Sequence, residues 1–64
     1  ILLTLPERNY LIELKLDSTA AEALAQIDSK NYSMAVTNSL PTTKVGINFS
    51  TETGTITDWK TNNE

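Results

Sequence analysis

Two residues of opposite charge, Glu13 and Lys15, lie two positions apart in an otherwise apolar segment. In a β-strand such residues project from the same face, so the carboxylate and the ammonium share one space. A carboxylate is a ligand that Mg²⁺ and Mn²⁺ prefer, and the backbone carbonyl of Leu14 can supply another oxygen. The chemistry indicated is metal-assisted hydrolysis of a phosphodiester, with Lys15 orienting the attacking water.

Taken alone, a Glu-x-Lys spacing in a strand is more typical of a solvated ion pair on an exposed edge strand. The context favours a site, because the pair follows a hairpin and directly precedes a capped helix. That helix carries Gln26 and then Tyr32, two polar residues that could face the same space. Each also has an ordinary interpretation, Gln26 as an exposed helix former and Tyr32 as a packing residue.

The elements that position these residues begin with two strands. Residues 1–5 form an apolar run that predicts a buried strand, and a turn with proline and asparagine follows at residues 6–9. From residue 10 to 16 the pattern alternates strictly, with Tyr10, Ile12, Leu14 and Leu16 on one face. A turn this short predicts an antiparallel hairpin.

A helix follows the hairpin. Thr19 and Glu22 fit a capping box, with Asp17 and Ser18 as rival caps. The residues from 20 to 27 are strong helix formers, and the helix could continue to about residue 36. An apolar stripe along it should pack on the sheet; its members are Ala20, Ala23, Leu24 and Ile27.

Two strands complete the chain, at residues 44–49 and 54–60, and residues 61–64 are expected to fray. Gly46 has no side chain, so another element could approach closely there. The order is β-β-α-β-β, and the helix is long enough for a crossover that makes the second and third strands parallel. We therefore expect an α/β (α+β) fold, a mixed sheet with a helix packed on one face.

Composition narrows the function classes. The chain has 64 residues, a net charge of −3, and neither cysteine nor histidine, so disulfides and a Cys/His zinc site are excluded. The apolar run at the start is too short to span a membrane, and we expect no membrane association and a cytoplasmic location. The acidic balance argues against nucleic-acid binding by this segment alone.

Several runs together resemble one known family; they are residues 10–17, 21–24, 26–27, 30–32, 44–50 and 56–60. The chain resembles the PD-(D/E)xK nuclease-like domain that follows a predicted AAA-type ATPase domain in many bacterial proteins. The resemblance implies a restriction-endonuclease-like core that uses Mg²⁺ or Mn²⁺ on nucleic acid. It also implies Glu13 and Lys15 as the (D/E)xK half of the motif, with Gln26 as the helix glutamine that follows and Tyr32 as a nearby tyrosine.

The resemblance also implies that parts of the domain lie outside this sequence. The family's other acidic residue should fall just before Ile1, so residues 1–64 are expected to be the C-terminal part of the domain and inactive by themselves. Exposed sheet edges could then pair into a homodimer. The alternative is a catalytically degenerate nuclease fold that serves as an interaction or accessory module of the ATPase.

Overall fold

The chain folds as one four-stranded sheet with one helix against it. The computed structural model describes residues 1–29 and 38–63. In chain order the elements are β1 (Leu2–Thr4), β2 (Asn9–Leu16), α1 (Ala20–Ser29), β3 (Thr42–Ser50) and β4 (Thr55–Asn63). The predicted order β-β-α-β-β is confirmed, and the strands lie side by side in the order β1-β2-β3-β4.

The sheet is mixed, as predicted. Strands β1 and β2 form an antiparallel hairpin whose turn is closed by Leu5 N–H donating to the carbonyl of Arg8 at 3.0 Å. Strands β2 and β3 are parallel because α1 carries the chain back along the sheet between them. Strand β4 then pairs antiparallel with β3, with a bulge next to Asn48.

Helix α1 begins where the capping pattern places it. Thr19 is the cap, since its hydroxyl oxygen accepts from the N–H of Glu22 at 3.1 Å. The predicted stripe packs on the sheet: Ala20, Ala23 and Ile27 are buried, and Leu24 is half-buried. The predicted continuation from residue 30 to 36, which includes Tyr32, lies outside the described residues.

Gly46 lets the helix lie directly on the strand backbone. A Cβ built there would stand 2.5 Å from the carbonyl oxygen of Ala20 and 2.9 Å from the backbone nitrogen of Leu24. The close approach expected at this glycine is therefore confirmed, and the approaching element is α1. No other residue could hold this position without moving helix or strand.

Two expectations about the chain ends were wrong. Residues 1–5 are exposed rather than buried, because β1 is an outer strand of the sheet that, within residues 1–29 and 38–63, has β2 as its single partner. Residues 61–63 do not fray but continue β4 to Asn63. Strand β3 starts earlier than predicted, at Thr42. Thr43 therefore stands opposite Asn63, and the Thr43 hydroxyl donates to Asn63 Oδ1 at 2.7 Å.

The two faces of the sheet differ. On the face covered by α1, which we call the helix face, the hydrophobic core consists of Leu11, Ala20, Ala23 and Ile27. The opposite face, here the open face, carries a groove of about 300 Å³ that is lined by four apolar side chains. Large side chains on it are exposed, and the described ones include Leu14, Leu16, Ile56 and Trp59.

Within residues 1–29 and 38–63, no helix is long and apolar enough to cross a membrane. Strands β1 and β4 are the outer strands of the sheet. Self-association through these edges stays a prediction.

Candidate functional site

Strand β2 carries Glu13 and Lys15 on the helix face. Side chains alternate along a strand, so both share the face of Leu11, which lies in the core under α1. Both residues are half-buried. They are therefore not the solvated pair of an exposed edge strand, which was the ordinary interpretation of the Glu-x-Lys spacing.

Lys15 and Gln26 are in direct contact. The Lys15 ammonium donates a hydrogen bond to Gln26 Oε1 at 2.8 Å in a partly buried setting. Gln26 is thus not simply an exposed helix residue, because its side chain is directed at the sheet. An ammonium has three N–H donors, so the bond to Gln26 fixes Lys15 and leaves other donors for a further acceptor.

The Leu14 carbonyl is directed to the β1 side of β2. Backbone groups of successive strand residues alternate between the two neighbouring strands. Ile12 N–H donates to the carbonyl of Ile1, and the Ile1 amino group donates to the Ile12 carbonyl, each at 2.8 Å. Leu14 lies two residues after Ile12, so its backbone groups are directed to the same side.

The residues present fit one side of a divalent-cation site but do not complete it. Mg²⁺ takes about six oxygen ligands, some of them waters. Glu13 offers one carboxylate and Leu14 one carbonyl. Among the described parts of the chain there is no group of three or more His, Cys, Asp or Glu residues that could hold a metal ion.

Asp17 fixes the junction between β2 and α1. It adopts a left-handed backbone conformation with φ of 52°, and its carboxylate accepts hydrogen bonds from the hydroxyl and the backbone N–H of Thr51. These two hydrogen bonds, the hydroxyl first, lower the pKa of Asp17 below its usual value, against a small opposing effect of desolvation. Asp17 therefore joins the end of β2 to the β3–β4 turn by hydrogen bonds and does not cap the helix.

Two residues near the site had no predicted role. Asn48 on β3 is buried and accepts a hydrogen bond from Ser18 N–H at 2.8 Å. Asp58 on β4 accepts one from Ala20 N–H at 3.1 Å. In the sequence each is simply a polar residue within a strand, which does not say what the residue contacts.

The mixed sheet, the crossover helix, and a Glu-x-Lys strand facing that helix define a nuclease-like α/β domain. A family profile of the PD-(D/E)XK nuclease superfamily matches residues 1–59, and the chain belongs to that superfamily. The resemblance to this superfamily is thus confirmed, whereas the association with an ATPase stays a prediction. No curated protein matches the chain, and no solved structure does.

Proposed function

We propose that this chain carries the Glu-x-Lys half of a metal-dependent nuclease site, which hydrolyses phosphodiester bonds in nucleic acid. The supporting observation is the 2.8 Å hydrogen bond from Lys15 to Gln26 on the face that also carries Glu13. A half-buried lysine whose ammonium donates to a neutral amide is restricted in position. That restriction is what a group needs in order to orient a water or a phosphate oxygen.

Each residue has a distinct role in the proposal. Glu13 and the Leu14 carbonyl would hold Mg²⁺ or Mn²⁺. Such an ion would supply charge stabilisation at the phosphoryl oxygens and activate a water. Lys15 would donate to the attacking water or to the phosphate, and Gln26 fixes the direction of the Lys15 ammonium. Negative charge that develops on the phosphate is stabilised by the ammonium at short range.

The proposal puts a further carboxylate opposite Glu13, and the register of β1 is compatible with that position. Leu2 pairs with Leu11, and Ile1 exchanges hydrogen bonds with Ile12. One residue further in the same direction would stand opposite Glu13 on the same face, with Cβ atoms about 5 Å apart. This is the position where the superfamily resemblance expects its other acidic residue.

Metal binding tests this arrangement directly. The chain is prepared with one aspartate, or as a matched control one asparagine, added before Ile1. Mn²⁺ affinity is then measured by titration calorimetry. We expect the aspartate form to bind at least about tenfold more tightly, a difference of roughly 1.4 kcal/mol. Glu13→Gln should abolish the difference.

Equal affinities of the aspartate and asparagine forms would contradict the proposed metal site. So would a difference that survives Glu13→Gln, because the ion would then be held elsewhere.

Cleavage tests the role of Lys15. Plasmid nicking with Mg²⁺ and with Mn²⁺ is compared in the full-length protein that carries this sequence, as wild type and as Lys15→Ala. We expect the rate to fall about a hundredfold or more, as for loss of one group that stabilises the transition state. Lys60→Ala is the matched control, since Lys60 lies exposed on β4.

Retained metal-dependent cutting in Lys15→Ala would contradict the mechanism. Circular dichroism of both variants confirms that the fold is intact. Single-stranded DNA and RNA are included as substrates, so that a preference for another nucleic acid is not read as inactivity.

The second candidate is a catalytically degenerate nuclease fold that acts as an interaction module beside an ATPase domain of the same protein, in the cytoplasm. It is favoured by the incomplete ligand set of the described residues and by five basic against eight acidic residues in the sequence. It predicts that neither Glu13→Gln nor Lys15→Ala alters the function of the protein. Mn²⁺ binding that depends on Glu13 would count against it.

A further inference from the structure

Three residues form a row across the helix face of the sheet. The register pairs Lys15 of β2 with Asn48 of β3, and Asn48 with Asp58 of β4. The row lies where β2 ends and α1 begins. Lys15 contacts Gln26 of the helix, whereas Asn48 and Asp58 contact the backbone at the helix start. One row of the sheet therefore holds both the proposed catalytic lysine and the anchor of the helix that restrains it.

Asn48 fixes the chain just before the helix. Its side chain is 5% exposed, and both ends of its amide are used. Oδ1 accepts from Ser18 N–H at 2.8 Å, and Nδ2 donates to the Thr57 hydroxyl at 3.0 Å. A backbone N–H can only donate, so the orientation of the amide is determined. Without Asn48, Ser18 N–H would lose its partner in a partly buried place.

Asp58 fixes the first residue of the helix. The first N–H groups of any helix have no partner within the helix. Asp58 Oδ2 accepts from Ala20 N–H at 3.1 Å, and a carboxylate at this end also interacts favourably with the helix dipole. Thr19 is a local cap for the Glu22 N–H, whereas Asp58 lies 38 residues after Ala20 in the sequence. Its bond therefore ties the helix to the sheet rather than merely stabilising the turn.

Helix rigidity transmits this anchoring to Gln26. Gln26 follows Ala20 by six residues, about 9 Å along the helix axis. Since Gly46 allows direct contact between helix and sheet backbone, a small change in how the first turn is seated changes where Gln26 meets the sheet. The Lys15–Gln26 bond depends on that meeting point.

We propose that Asn48 and Asp58 are positioning residues for the Lys15–Gln26 pair. Holding Ser18 and Ala20 against β3 and β4, they seat the helix so that Gln26 accepts from the Lys15 ammonium. The catalytic meaning of this pair rests on the proposed function. The positioning itself is a property of the folded chain, and it is measured without nucleic acid or metal.

The test is an NMR measurement on the chain well below its unfolding temperature. In the wild type we expect a nuclear Overhauser cross-peak between the Lys15 ε-protons and the Gln26 γ-protons. In Asp58→Ala and in Asn48→Ala we expect this cross-peak to be lost and the Gln26 side-chain amide to shift. Asp58→Asn, which keeps an oxygen acceptor for Ala20 N–H, should restore the peak.

Asp28→Ala is the matched control, because it removes a different tie between helix and sheet. Asp28 pairs with Lys44 at 2.7 Å toward the far end of α1, and its loss should leave the Lys15–Gln26 peak unchanged. An unchanged peak in folded Asp58→Ala and Asn48→Ala, with only the melting temperature lowered, would overturn the proposal. These residues would then stabilise the fold without positioning Gln26.

A variant that fails to fold is replaced by a milder one. Asp58→Glu keeps the carboxylate but is longer, so it should displace the first helical turn and weaken the peak. Asn48→Asp keeps the acceptor for Ser18 N–H and should preserve the peak. The opposite result in either variant overturns the proposal, and a failed nuclease assay leaves both measurements valid.

Discussion

The two faces of the sheet are built from the same strands but differ in what they contact. On the helix face, Leu11 is 2% exposed and the polar residues are joined in hydrogen bonds. In the described part of the chain, no buried side-chain nitrogen or oxygen lacks a partner. On the open face, Leu14 is 51% and Trp59 68% exposed.

This difference locates the stability of the domain on one side. Burial of apolar surface is the main favourable contribution to folding, and here it is concentrated between α1 and the sheet. The proposed site lies on the same side, so residues that hold the helix also hold the site. Changes on the helix face should therefore affect both fold and site, whereas changes on the open face should affect neither strongly.

The largest effect is expected at Gly46. In Gly46→Val the new side chain would collide with the helix backbone, beginning with the Ala20 carbonyl oxygen at 2.5 Å from its Cβ. We expect the free energy of unfolding to fall by about 3 kcal/mol, at the upper end for overpacking. Urea unfolding followed by circular dichroism measures the change.

Gly54 supplies the control for this prediction. It has a φ of 70°, and among the described residues no heavy atom beyond its own chain neighbours stands within 4 Å of the position a Cβ would take. Asparagine tolerates this backbone conformation, so Gly54→Asn should cost under about 1 kcal/mol. Equal losses at the two glycines would show that helix contact is not what Gly46 provides.

A matched pair of leucines on β2 compares the faces directly. Leu11→Ala removes a side chain from the core and should cost about 3 kcal/mol, whereas Leu14→Ala on the open face should cost under about 1 kcal/mol. Both are measured by the same urea titration. Similar losses would mean that the open face is covered in solution.

The smallest effect is expected for the hydrogen bonds between Asp17 and Thr51, which join the end of β2 to the β3–β4 turn. The pKa of Asp17 is lowered in the folded chain, first by the Thr51 hydroxyl and then by its backbone N–H. The stabilisation is therefore complete above the ordinary value of 3.8 and disappears as the pH falls through the lower, folded pKa. We expect Asp17→Asn to have a lower urea midpoint than the wild type at pH 6.

The difference between Asp17→Asn and the wild type should vanish at pH values below the folded pKa, where the carboxyl is protonated. Asparagine is a suitable replacement because it also tolerates the left-handed conformation of this position. A difference that persists unchanged to pH 2 would show that the charge is not responsible.

The periodicity of the sequence was sufficient to predict the order of the elements and the residues on each face of β2. Alternation with a period of two places Leu11, Glu13 and Lys15 on one face of β2 and Leu14 on the other. The apolar stripe of the helix identifies Ala23 as buried. Parallel pairing of β2 and β3 followed from the length of the crossover. These features depend on local pattern, which a single sequence contains.

Periodicity could not predict that β1 is exposed or that β4 extends to Asn63. An apolar pattern shows which residues could be covered, not whether an element is present to cover them. Asn63 is polar and terminal, yet it is held by Thr43 on another strand. Such pairs depend on register, which shifts at the bulge between Asn48 and Phe49.

The site was partly accessible from sequence for the same reason. Glu13 and Lys15 share a face by alternation alone, and Gln26 is placed by helix geometry. The 2.8 Å contact between Lys15 and Gln26 depends on how deeply the helix is seated, which no local pattern determines. Asn48 and Asp58 contact backbone groups that are distant in sequence, and no local pattern indicates such contacts.

The direct seating of α1 on Gly46 also has a consequence for hydrogen exchange. The centre of β3 is paired on both sides, by β2 and β4, and the helix backbone excludes water from above. Its amide protons can exchange with solvent only when a neighbouring strand or the helix separates from β3. The amides around Gly46 should therefore be the slowest of the chain and report its global stability, whereas those on the outer edge of β4 exchange through local opening.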